Sequence, residues 1–165
     1  MVSLENISIP VQLLSGSYKV PVCTKRVWDM LKGCKSDEDH KKVCGMLLEG
    51  VLLPLYECRQ LVQTYIGSME RLRVETDLTL PYYKTEKSPN DVKYTIYTEL
   101  DKLAADYANI SLYEIDDILI TEYWLILRDA FIYRLSQTEK GREYLKNAYR
   151  LTQTEADEDI DIQGK

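Results

Sequence analysis

The sequence predicts a mainly α-helical domain with a small β element, an α+β fold in which an N-terminal β-hairpin packs on a helical core. Three observations carry this expectation. Apolar and polar residues alternate on either side of Ser15-Gly16-Ser17, apolar residues recur at helical spacing from Val27 onward, and most helical stretches open on a capping residue. A chain of 165 residues is long enough for one core. The expected organisation is a single compact domain over 1–151, with a hairpin-and-helix part to 87 and a helical part over 88–151 sharing that core. An acidic tail over 152–165 follows, too charged and too poor in apolar anchors to order.

The hairpin comes first. Ile7, Ile9, Val11 and Leu13 alternate before the turn, and Tyr18, Val20 and Val22 alternate after it. Pro10 and Pro21 lack an N–H and so belong at an edge or strand end. Thr24 then opens a short helix with Val27, Trp28, Met30 and Leu31 inward and Gly33 as its stop. Ser36, with Asp39 three residues on, caps a second helix whose buried face is Val43, Met46, Leu47 and Val51. Pro54 predicts a break before the pattern resumes as Leu55, Cys58, Val62, Tyr65, Ile66 and Met69.

From Leu72 to Leu80 the period changes to two, which predicts a third strand. Ser88-Pro89 should start a helix with Ile96, Leu100, Leu103 and Tyr107 on its inner face. Three helical pieces follow Asn109. Ser111 with Glu114 announces the first, and Ser136 with Glu139 the last. The middle one, "TEYWLILRDAFIYRL", is apolar on most of its circumference and should centre the C-terminal core. The last carries Tyr144, Leu145, Ala148 and Tyr149 on one side and tolerates Gly141 at some cost.

Charge narrows the partners. The chain has 21 Lys plus Arg and 27 Asp plus Glu, a net charge of -6, which repels nucleic acid and anionic membranes. The excess is lopsided: up to Thr95 there are 13 basic and 12 acidic residues, and after it 8 and 15. No apolar run reaches the roughly 20 residues that span a bilayer, and "MVSLENISIP" lacks the pattern of a secretion signal, so a cytoplasmic protein is expected. In that compartment Cys23, Cys34, Cys44 and Cys58 should remain thiols.

Motifs for catalysis or cofactors are not found. Cys34 and Cys44 flank His40, the one histidine, but without a Cys-x2-Cys knuckle, so no metal is expected. Asp116, Asp117 and Glu122 read as capping and solvated residues rather than an opposed acid and base. Nucleotide-binding glycine loops and a nucleophile elbow are absent, so neither cofactor nor enzymatic activity is expected.

Tyrosine is in excess, 13 residues against one Phe. A tyrosine buries its ring while its hydroxyl stays wet, which suits a surface later covered by a partner. Tyr113, Tyr123, Tyr133, Tyr144 and Tyr149 are the partner-binding candidates, and Tyr82, Tyr83, Tyr94 and Tyr97 belong to the same excess.

The C-terminal third, "NISLYEIDDILITEYWLILRDAFIYRL" through "SQTEKGREYLKNAYRLTQTEAD", resembles the tail assembly chaperones of long-tailed bacteriophages and prophages. The likeness lies in the capped turn "SLYEIDDI", the aromatic and leucine helix ending in Arg128-Asp129-Ala130, and the two Gln-Thr-Glu tripeptides. It implies a small, acidic, non-enzymatic protein that coats a helical tape-measure protein until tail-tube subunits replace it. The partners implied are thus a tape-measure-like helix and the tail-tube subunit, met in the cytoplasm of the host bacterium, with self-association left open. Two other readings stand beside it: an inhibitor that binds a host protein through an acidic, tyrosine-rich surface, and a head-tail or baseplate subunit.

Overall fold

The computed structural model describes residues 7–81 and 98–158, with side chains as far as Leu151. Strands β1 (Ser8–Leu13) and β2 (Gly16–Pro21) form an antiparallel hairpin with Ile9 opposite Val20 and Leu13 opposite Gly16. The turn falls at Leu14-Ser15, one residue before the expected site, and Gly16 opens β2 with φ +153°. Ile9, Val11 and Leu13 are buried, so the alternation in the sequence is the alternation of the pleat. The Val22 N–H donates to the Ile7 carbonyl at 3.3 Å. Hydrogen-bonded pairs alternate in an antiparallel ladder, so the next are Ile9–Val20, Val11–Tyr18 and Leu13–Gly16. Pro10 and Pro21 occupy the intervening positions, where an N–H would point away from the partner strand and none is missed.

Helix α1 (Lys25–Gly33) buries Trp28 and Leu31, and α2 (Asp37–Leu47) buries Val43, Cys44 and Leu47. The box at the start of α2 is complete: the Asp39 N–H donates to Ser36 Oγ at 3.1 Å, and the Ser36 N–H to Asp39 Oδ2 at 2.9 Å. Those donors hold the Asp39 carboxyl below its usual range. Met46 and Val51, expected inward, are exposed, because the helix ends at Leu47 and the chain turns through Glu49 and Gly50 at φ 51° and 87°. The break at Pro54 is present, with α3 (Leu55–Glu75) starting immediately after it.

The expected third strand over Leu72–Leu80 does not form. Helix α3 continues to Glu75 and closes through Asp77, at φ 53°, with the Asp77 N–H on Val74 O and the Leu78 N–H on Arg73 O at 2.9 Å. This is a Schellman closure with aspartate in place of glycine, and Leu78 is the buried contact that accompanies it. Five alternating residues were too few to outweigh a helical pattern already running from Cys58.

Helix α4 is described from Glu99 to Ala108, so the Ser88-Pro89 start and Ile96 lie outside the described residues. Its buried residues are Ala104 and Ala105, whereas Leu100 and Tyr107 are exposed, the reverse of the expected face. Ser111 and Glu114 exchange the expected hydrogen bonds, but over a 3₁₀ turn (Glu114–Asp117) rather than an α-helix. Helix α5 (Ile120–Ser136) buries Tyr123, Trp124, Leu127 and Ala130 and packs against α1, α4 and α6, as a helix apolar on most sides must. The cross-link Lys25 N–H to Ile118 O and Ile120 N–H to Cys23 O, each 2.9 Å, ties α5 to the end of the hairpin. One contiguous set of buried side chains runs from Ile9 to Leu127.

Helix α6 (Glu139–Glu158) is capped by Thr138, whose Oγ1 accepts from the Gly141 N–H at 3.0 Å. Ser136, the expected cap, is instead the last residue of α5 and donates to Tyr133 O. The helix passes the boundary expected at 151 and carries backbone order to Glu158. Gly141 is a packing requirement rather than a tolerated weakness, because a Cβ there would lie 2.0 Å from the Leu135 carbonyl oxygen. Helix propensity alone predicts that Gly141→Ala stabilises by about 1 kcal/mol. The backbone clash predicts the opposite, a loss of about 1–3 kcal/mol as α6 is pushed off α5. Urea denaturation decides by its sign, and a stabilised variant would remove the close approach from the account.

Candidate functional site

The densest polar constellation among the described residues surrounds Lys25, the first residue of α1. Its side chain is 6% exposed, and its Nζ lies 2.7 Å from Asp29, 3.3 Å from Asp101 and 3.8 Å from Asp116. Four elements meet there, since Asp29 is one turn along α1, Asp101 is on α4, Asp116 is on the 3₁₀ turn, and α5 contributes Tyr123. The Tyr123 hydroxyl donates to Asp101 at 2.7 Å, and its ring centroid is 5.1 Å from the ammonium. Burial works against the charge, but Asp29 and then Asp101 outweigh it and hold the Lys25 ammonium above its ordinary pKa. Burial and the bond to Asp101 likewise raise the Tyr123 phenol.

An amine kept charged and a phenol kept protonated donate hydrogen bonds. Neither offers a free lone pair to abstract a proton or attack a carbonyl. The cluster is therefore an electrostatic clasp between the hairpin end and the C-terminal helices. Beside it opens a cleft of about 370 Å³, floored by Trp28, Trp124 and Leu127 and bordered by Arg73 and Leu100. Sequence reasoning missed Lys25. The available signal was Asp29 at i+4, which says nothing about burial.

The tyrosine candidates separate. Tyr113 on the 3₁₀ turn, Tyr133 on α5 and Tyr149 on α6 are exposed, and Tyr144 is half-buried on α6. Tyr123 is a correction: at 7% exposure with its hydroxyl on Asp101 it belongs to the core and has no face left for a partner. Tyr82, Tyr83, Tyr94 and Tyr97 lie outside the described residues. The structure adds Tyr107 to the surface, its ring centroid 5.9 Å from that of Tyr133. Leu100, seven residues before Tyr107 and so on the same side of α4, is exposed too. Together they make an apolar stripe across α4 and α5 that periodicity had assigned to the interior.

The four cysteines are free, and Cys34, His40 and Cys44 are not drawn together around a common point. The Cys34 thiol donates to Met30 O, the His40 Nδ1 is 2.7 Å from Ser36 O, and Cys44 is buried between α2 and α3. Burial pushes the Cys23 thiol up to about 11, and burial with the adjacent Cys58 pushes Cys44 up to about 12, so neither supplies a thiolate near neutral pH. Among the described residues no group of three or more His, Cys, Asp or Glu is placed to hold a metal ion, and no helix is long and apolar enough to cross a membrane.

Comparison with known proteins found no matching family model, no similar curated protein and no similar solved structure.

Proposed function

We propose that this is a non-enzymatic binding protein that holds an amphipathic helix of a protein partner against the α4–α5 face. The observation that carries the reading is the exposed stripe of Leu100, Tyr107 and Tyr133, 46%, 47% and 58% exposed on two helices packed together. Side chains of this kind, set at i and i+7 with a neighbour from the next helix, match the spacing of a helix laid in a groove. Acidic residues border the stripe, Glu99 paired with Arg134 and Asp106 paired with Lys102, within a part of the chain rich in acids. A partner helix with basic flanks suits that border. With the resemblance of the C-terminal third to tail assembly chaperones, the proposed partner is the tape-measure protein of a long-tailed phage, kept soluble until tail-tube subunits replace the chaperone.

Co-expression with a tape-measure protein and co-purification at low and high salt tests this. The complex should survive high salt, since apolar burial is not screened as exposed charge pairs are. The double substitution Tyr107→Ala with Tyr133→Ala should weaken it by about tenfold or more, as loss of aromatic anchors does. Tyr133 and Tyr107 are exposed, so the variant should melt like the wild type. Capture of a basic host protein at low salt alone, with the tape-measure protein left insoluble, would replace the chaperone reading with the inhibitor one.

A further inference from the structure

Helix α3 has a different kind of surface at its other end. The hairpin turn presents Leu14, 83% exposed, and the α2–α3 connection presents Val51, Leu52 and Tyr56 at 43%, 95% and 54%. Glu57, in the first turn of α3 and itself buried, fastens these two loops together. Its carboxylate accepts from the Ser15 N–H at 3.4 Å, from the Ser15 hydroxyl, and from the Tyr56 hydroxyl at 2.9 Å. The Ser15 donor and, after the opposing burial, that of Tyr56 hold this carboxyl below its usual range. The left-handed residues Glu49 and Gly50 turn the connection so that Leu52 points outward. Two loops that could fold their leucines inward are instead fixed with them outward, which lowers the entropy cost of covering them.

Charge identifies the occupant. Neither the turn, "VQLLSGSY", nor the stretch "VCGMLLEGVLLPLYEC" contains a lysine or arginine, so an anionic membrane or nucleic acid has nothing to hold. An uncharged apolar surface asks for no opposite charge on its partner and complements itself across a two-fold axis. The acids, meanwhile, are collected elsewhere. Arg73, near the end of α3, stacks on Trp124 of α5, and Arg128 of α5 pairs with Asp77 just past that end. Glu57 and Arg73 stand about 24 Å apart along the helix. Two copies joined at the Glu57 end therefore keep their acid-rich helical parts more than a Debye length of about 8–10 Å from each other, and the net charge of -6 does not oppose the union. We propose that a second copy of this chain covers the Leu14–Leu52–Tyr56 surface in an isologous dimer. This stands independently of the reading of the α4–α5 face.

Sedimentation equilibrium of the full chain over about 1–200 µM tests it, the range in which an interface of modest size dissociates. The expected result is a monomer–dimer equilibrium that changes little between low and high salt. Leu14→Glu with Leu52→Glu should weaken it by about 100-fold or more, because two like charges are brought together across the axis. Both side chains are exposed, so the variant should melt as the wild-type monomer does, and Leu52→Ser provides a milder substitution that should also shift the equilibrium toward monomer. Tyr107→Ala with Tyr133→Ala should leave the dimer intact, which separates this surface from the other. A wild type that stays monomeric throughout, a dimer that ignores the glutamates, or binding to neutral phosphatidylcholine vesicles by a monomer would each overturn the proposal.

Discussion

Replacing Trp124 with alanine is expected to cost about 3–5 kcal/mol, the largest single loss available among the described side chains. Trp124 is 3% exposed in the middle of α5, the helix that joins α1, α4 and α6. Trp28 meets it edge to face at a centroid distance of 5.3 Å and an interplanar angle of 89°, and the Arg73 guanidinium sits 5.0 Å from its ring. The substitution removes the ring, the edge contact and the platform for Arg73 together, at a point where α1, α3 and α5 cannot collapse onto the space. Chemical denaturation measures the loss. Trp124→Phe should cost less, and a cycle with Trp28→Phe should show a coupling of about 0.5–1.5 kcal/mol between the rings. A change below about 1 kcal/mol for the alanine variant would mean that the ring faces outward and belongs to a binding surface instead.

Local signals in the sequence were legible, and long-range choices were not. The hairpin could be read because Ile9, Val11 and Leu13 carry the period of a pleat, and the start of α2 because Ser36 and Asp39 satisfy each other within four residues. The break at Pro54 follows from a missing donor. The errors share a different cause. On α4, leucine and tyrosine outrank alanine on any hydrophobic scale, yet Ala104 and Ala105 face α5 because small side chains let two helices approach closely. That preference depends on the neighbour, which periodicity does not contain. Lys25 escaped notice for the same reason: its three carboxylates arrive from α1, α4 and the 3₁₀ turn, and only α1's was near in sequence. For the candidate surfaces, the tyrosine excess pointed to α5 correctly through Tyr133 and wrongly through Tyr123, which differ in the side of the helix they occupy and not in residue type.

Alkali should unfold the protein steeply, with stability flat through neutral pH and falling from about pH 9. Cys23, Cys44, Tyr65, Tyr123 and Lys25 are all displaced in the same direction, each holding its proton above the ordinary value of 9.0 for the thiols, 10.0 for the phenols and 10.5 for the amine. Burial is the first cause for the thiols and phenols, and Tyr65 is also fastened on both sides, donating to Pro21 O at 2.8 Å and accepting from the Cys23 N–H at 2.9 Å. A group whose folded pKa is raised contributes its full stability below the unfolded value and loses it as pH climbs toward the folded one. Above pH 9 the unfolded chain sheds protons that the folded chain keeps, so the slope is negative at about 1.4 kcal/mol per pH unit for each group in its window. Two thiols, with folded values of about 11 and 12, and two phenols that begin one unit later together remove on the order of 5 kcal/mol by pH 11. That is comparable to the whole stability of a small domain. Urea denaturation in steps from pH 7 to 11 should follow this curve, and Cys44→Ala should start from a lower stability at pH 7 but fall less steeply above pH 9. Stability that stays level to pH 10.5 would mean that these thiols and phenols ionise as freely in the folded protein as in the unfolded chain, and the buried assignments of Cys23, Cys44 and Tyr65 would go with it.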